Sequence, residues 1–239
     1  MGLTKQEIKF IDDYLIKNEV NFWDVRLELL DHIVSSVENK METQGVSFNE
    51  ALLEVHHGFG NRIHNGYTYD LDFKKTLYID HKGFKKFTLK AQKEMGRQHR
   101  KRFWNTFPKF LISFQFLIEF LIIIGVVFIV HQYSPKTAFI IALVTCFLPE
   151  ILKVFFGVFD RSNRKSLKMQ VAVNLSSLFM CLSYLLMTVF NSYYEDMAHK
   201  PYVIMTIIFI CLFPFIRHGL NTYKEIFKEN KEKYTLMCS

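Results

Sequence analysis

Cysteine is scarce in this chain: 4 of its 239 residues, none spaced as a metal or redox pair. Cys146, Cys181 and Cys211 fall inside apolar runs and Cys238 stands near the end, so they read as small packing residues and imply no disulfide framework. The sequence patterns of the common enzyme classes are missing too. There is no HExxH, GxSxG, P-loop or GxGxxG, which leaves no catalytic residue, metal ligand or cofactor site to nominate and points away from an enzyme. Residues 1–10 have no apolar core, which argues against a cleavable signal. Gln6 stands where N-myristoylation needs Ser or Thr.

What the chain has is long apolar runs and segregated charge. The runs are 110–130, 137–159, 171–190 and 202–216. A helical crossing of a bilayer needs about 20 apolar residues, and the short fourth run extends if Arg217 snorkels to the interface. Residues 1–73 hold 6 Lys+Arg against 13 Asp+Glu, a net of −7. Residues 74–109 hold 12 against 2, a net of +10, and residues 110–239 hold 12 against 8, a net of +4. Basic residues crowd the entry to the first run, the second connection (Arg161, Arg164, Lys165, Lys168) and the tail, while the third connection holds Glu195 and Asp196 with only Lys200. Positive flanks mark the cytoplasmic side, so the sequence predicts a multi-pass protein of the bacterial inner membrane with both termini in the cytoplasm. The expected fold is all-α: a small three-helix cytoplasmic domain (1–62), a basic neck (63–109), a four-helix transmembrane bundle (110–218) and a cytoplasmic amphipathic tail (219–239).

The N-terminal helices carry start and stop signals. Thr4-Lys5-Gln6-Glu7 and Ser47-Phe48-Asn49-Glu50 are capping boxes. Asn21 can cap a helix between them, with Asp24 near its positive end. Phe22, Val25, Leu29, Ile33, Val37 and Met41 recur there at helical spacing, Gly45 ends that stretch, and Gly58-Phe59-Gly60 is a plausible stop for the next. About 60 residues make a marginal unit, which needs the neck, a second copy or a partner for stability.

Glu28-Leu29-Leu30-Asp31-His32-Ile33, then Gly45 to Leu52, then Phe59-Gly60 resemble the HAAS-type helical domain found at the N-terminus of small bacterial membrane proteins, often encoded beside PadR-like regulators. The resemblance covers residues 4–62, and Asn61 stands where that family usually closes with Pro. It implies regulation and protein interaction and carries over no active-site residue. The exposed face of the second helix, Glu28, Asp31, His32 and Glu38, is the expected contact for a cytosolic or membrane protein partner, or for a second copy.

His32, His56, His57 and His64 stand near Asp31 and Glu54, but adjacent His56 and His57 point about 100° apart on a helix. Surface or helix-end histidines are the expectation, not a metal site. In the neck Lys85, Lys86, Lys90, Arg97, Arg100, Lys101 and Arg102 alternate with aromatics, ending at Trp104. Such a segment can bind nucleic acid or lie on the anionic cytoplasmic leaflet. It runs straight into an apolar helix with Trp104 placed as an interfacial anchor, which favours membrane lipid over nucleic acid.

Glu119, Glu150, Lys153 and Asn174 lie within the runs. Glu119 is nine residues in from Phe110, about 13 Å at helical rise, and Lys153 is one turn from Glu150 beside Pro149. Two readings stay open: a Glu119–Lys153–Glu150 cluster joining the first two spans, or a proton or cation site of a small transporter or channel subunit. Ser176, Ser177 and Ser183 have no histidine at matching depth, which argues against a serine protease. The leading expectation is a non-enzymatic membrane protein with an interaction domain in signalling or regulation.

Overall fold

In the computed structural model, which describes residues 2–62, 73–158, 160–163, 165–194 and 200–238, every regular element among the described residues is helical. Two units result: Met1–Glu94 with Lys165–Leu167, and Met95–Arg164 with Lys168–Ser239. His64, the stretch of Asn65, Gly66, Tyr67, Tyr69, Asp70 and Asp72, Arg164, Glu195 and Asp196 lie outside the described residues.

In the first unit α1 (Lys5–Lys17) and α3 (Phe48–Gly58) start at the expected capping boxes. The Thr4 and Glu7 side chains satisfy each other's backbone N–H at 3.3 and 2.8 Å, and Ser47 and Glu50 do the same at 3.4 and 3.0 Å. Between them runs α2 (Trp23–Gln44), closed by Gly45 at φ 67°, a left-handed conformation that costs glycine little. The cap of α2 differs from expectation: Phe22 occupies it, with no side-chain hydrogen bond. The carboxylate of Asp24 instead accepts from the Ser166 hydroxyl at 3.0 Å and the Leu167 N–H at 2.9 Å, and Lys165 returns its carbonyl to the Trp23 N–H.

Apolar stripes close this unit's core. Ile11, Tyr14 and Leu15 meet Val25, Leu29, Ile33 and Val37, with Ala51, Leu52 and Val55 completing it. Two further residues join from beyond residue 62: Leu77, fully buried just past the short α4 (Phe73–Thr76), and Phe84 in the first turn of α5 (Lys82–Leu111). Phe84 sits against Tyr14, His56 and Phe59 at ring distances of 5.4–6.0 Å. The start of the neck therefore supplies core to the small unit. Gly83 makes this approach possible, because a Cβ there would lie 2.2 Å from the Phe59 carbonyl oxygen.

The second unit holds the rest of α5, then α6 (Phe114–Tyr133), α7 (Pro135–Val158), a 3-10 turn (Arg161–Asn163), α8 (Leu167–Ser176), α9 (Leu178–Tyr193) and α10 (Tyr202–Cys238). Three helices are long and apolar enough to cross a membrane, and α8 with α9, bent by 40°, make a fourth if they form one span. The chain is a multi-pass membrane protein. Ala138, Ala142 and Cys146 present a small-residue stripe on α7 that lets Phe209 of α10 close in, with Cys146 Sγ 3.3 Å from the Phe209 carbonyl; small residues at helix contacts give close packing where lipid offers no hydrophobic drive. Leu121, Ile122, Phe128, Ile151, Val154 and Phe155 are exposed on the outside, as lipid-facing side chains must be.

Several boundaries differ from the sequence reading. Phe110 and Leu111 end α5, and α6 starts after a break at Ile112–Ser113. The 171–190 run is broken at Ser177, where the Ser176 hydroxyl turns back to the Val173 carbonyl at 3.1 Å, a bond that bends helices. The expected separate tail is instead continuous with the last span, because α10 runs from Tyr202 to Cys238 and buries Leu220, Tyr223, Ile226 and Asn230.

Candidate functional site

The strongest concentration of polar chemistry in the second unit lies where α7 meets the bend between α8 and α9. Lys153, 4% exposed, donates to the Glu150 carboxylate, to Ser176 Oγ at 3.2 Å and to Ser177 Oγ at 3.3 Å. Ser177 in turn donates to the other Glu150 oxygen at 2.9 Å. An ammonium has three protons and each has an acceptor, so the network is closed. The serines are the acceptors that let a lysine sit among apolar helices, and Gly219 of α10 packs against the same bend, its Cβ direction 3.0 Å from the Ser176 carbonyl.

Glu119 does not join this network, which corrects the three-residue cluster. Arg217 Nε lies 2.9 Å from Glu119 Oε1 and 3.1 Å from Oε2, and Arg217 also bonds the Asn221 side chain. The cause is the late start of α6: Glu119 follows Phe114 by five residues, about 7.5 Å at helical rise, a depth the end of the last span reaches. Arg217 is thus paired and does not snorkel alone, and an acid and a base at matching depths are the signal in the sequence. Asn174 is exposed and has no part in either pair.

Beside Arg217, His218 is buried with Nε2 3.1 Å from both the Phe103 carbonyl and Thr106 Oγ1. Phe103, Phe107 and Phe110 surround its ring at 4.7–5.4 Å. Nothing in sequence spacing marks this residue.

On α2 of the first unit, Glu28, Asp31 and His32 are exposed, on the side away from the buried stripe. The His32 ring meets Phe87 edge-on at 6.4 Å. Glu38 serves a different end: half-buried, it accepts the Leu3 N–H at 2.8 Å and ties down the N-terminus. His56 stands at a helix end, in the last turn of α3, but it is buried (1% exposed) and not on the surface. Its Nδ1 lies 2.6 Å from the Tyr14 hydroxyl and 3.4 Å from the Asn61 amide, whose oxygen accepts the Gly83 N–H at 2.7 Å. Burial, opposed by the Arg62 backbone and Asp80, pushes the His56 pKa down to about 4, while burial raises that of Tyr14.

Along α5, Lys86, Lys90, Arg97, Arg100, Lys101 and Trp104 are exposed, and Lys85 reaches Glu19 at 3.2 Å. Arg102 departs from this row, turning to Glu225 at 3.1 Å and Glu229 at 2.7 Å on α10. No group of three or more His, Cys, Asp or Glu among the described residues is placed to hold a metal. Compared with known protein families, curated proteins and solved structures, the chain has no match.

Proposed function

We propose that this chain is a non-enzymatic protein of the bacterial inner membrane, with both ends in the cytoplasm, whose N-terminal unit binds a protein partner in a regulatory or signalling role. The observation that carries this reading is the division of α2. One stripe is consumed by the unit's own core, while the opposite face presents Glu28, Asp31 and His32 to solvent. The two exposed carboxylates, Glu28 and Asp31, on a rigid helix suit recognition of a basic surface and steer its approach. The basic flanks of the spans support the orientation, and the resemblance of residues 4–62 to the HAAS-type domain supports the role. The closed bonding of Lys153 and the Glu119–Arg217 pair count against a carrier site, which needs an exchangeable polar position.

The test is crosslinking and affinity recovery of the full-length protein from its native membrane, beside the E28K/D31K variant. One protein, or a second copy of the chain, recovered with wild type and lost with the variant supports the reading. The same recovery with both overturns it.

A further inference from the structure

An open groove with an interior of about 70 Å³ lies in the second unit between α5, the α8–α9 bend and α10. The walls are apolar, with Phe103, Trp104, Leu175, Leu178, Phe179 and Ile226 among the lining residues. Trp104 and Leu178, 54% and 58% exposed, bring it out onto the lipid-facing surface. His99 and Arg100 make its polar end. His99 is 8% exposed, and its Nε2 has no hydrogen-bond partner among the described residues. A buried ring nitrogen left open beside an arginine is a cost unless a ligand satisfies it.

We propose that this groove is a binding site for one anionic phospholipid, its phosphate held by Arg100 and His99 and an acyl chain laid along Phe103, Phe179 and Ile226. The occupant follows from the shape of the chemistry. A phosphate wants the arginine fork and an N–H donor, an acyl chain wants the aromatic and aliphatic walls, and a lipid molecule offers both at the depth where Trp104 marks an interface. Arg102 and Lys168 surround His99 with positive charge, opposed by Glu229, which they pair at 2.7 and 2.8 Å. Burial and those two cations lower the His99 pKa, so the imidazole contributes an N–H and Arg100 the charge. This site is distinct from the diffuse attraction of the exposed Lys85, Lys86 and Lys90 to an anionic leaflet. It rests on the chain being a membrane protein and not on the partner reading of α2.

Native mass spectrometry of the full-length protein in mild detergent, titrated with phosphatidylglycerol or phosphatidylcholine, tests it. The expected result is one phosphatidylglycerol retained under conditions that strip phosphatidylcholine. R100Q, at an exposed position, reduces that occupancy about tenfold, the worth of one charge-assisted hydrogen bond. L178W, which crowds the mouth, reduces it as well, whereas K85Q/K86Q/K90Q leaves it unchanged. Equal retention of the two lipids overturns the proposal. So does full occupancy in R100Q, or loss in the triple lysine variant without loss in R100Q.

Discussion

Arg217 Nε lies 2.9 and 3.1 Å from the two carboxylate oxygens of Glu119, joining α10 to α6 across 98 residues of sequence. Among the described residues, removing the acid leaves the guanidinium with only the Asn221 amide. Glu119→Gln is expected to lower stability by about 1–2 kcal/mol, the scale of a polar contact between membrane helices. Thermal melts of the detergent-solubilised protein measure it, and the swap E119R/R217E should recover part of the loss. A variant with wild-type stability would show the pair to be idle.

Lys153 is more demanding. Lys153→Met strips one partner from the Glu150 carboxylate, and breaking a buried pair this way costs about 3–5 kcal/mol. Folded yield and melting temperature should fall sharply. The double variant E150Q/K153M, which removes both charges, should regain most of the stability, because a buried pair contributes little over neutral groups of similar shape. Additive losses would contradict this account.

Gly83→Ala tests the seat of α5 on the small unit. The new methyl would stand 2.2 Å from the Phe59 carbonyl oxygen and 2.8 Å from Asn61 Oδ1, and a backbone atom cannot rotate away. A loss of about 1–3 kcal/mol is expected, as for overpacking. Faster hydrogen exchange in α3 would report it, with α7 and α10 unaffected.

His56 makes the first unit sensitive to acid. Its pKa is about 4 in the folded chain against an ordinary 6.5, so the unfolded chain binds the extra proton first. Stability is full above pH 6.5, falls as pH drops from there and stops falling below about 4, with at most about 3 kcal/mol at stake. Melts of wild type and H56Q at pH 7.5 and 5 should diverge in their pH dependence. Equal slopes would remove His56 as the cause.

How much of this was legible in sequence depended on the kind of force. The starts of α1 and α3 were readable because a capping box is a local bond within four residues. The buried stripe of α2 was readable because periodicity is the physics of one helix. The bend at Ser177 was not, since no Pro or Gly stands there and the turn of the Ser176 hydroxyl to the Val173 carbonyl has no signature in spacing. Phe84 and Gly83 read as part of a basic neck because their role is contact with Phe59 and Asn61, which no spacing encodes. Asn61 likewise gave no local signal for its role, its side-chain oxygen accepting the Gly83 N–H. Of the intramembrane charges, Glu150 with Lys153 was visible at i+3, whereas Glu119 with Arg217 required knowing where α6 starts.

That contrast has a consequence for biosynthesis. Glu150 and Lys153 are neighbours on one helix, so α7 can leave the insertion machinery already neutral. Glu119 emerges early and its counter-ion is 98 residues behind. At about 5–20 residues per second of synthesis, α6 must wait on the order of ten seconds with an uncompensated acid, in the machinery or protonated. A chain that stops before residue 217 therefore ends with its first span chemically unfinished, and it is that span which membrane quality control would find.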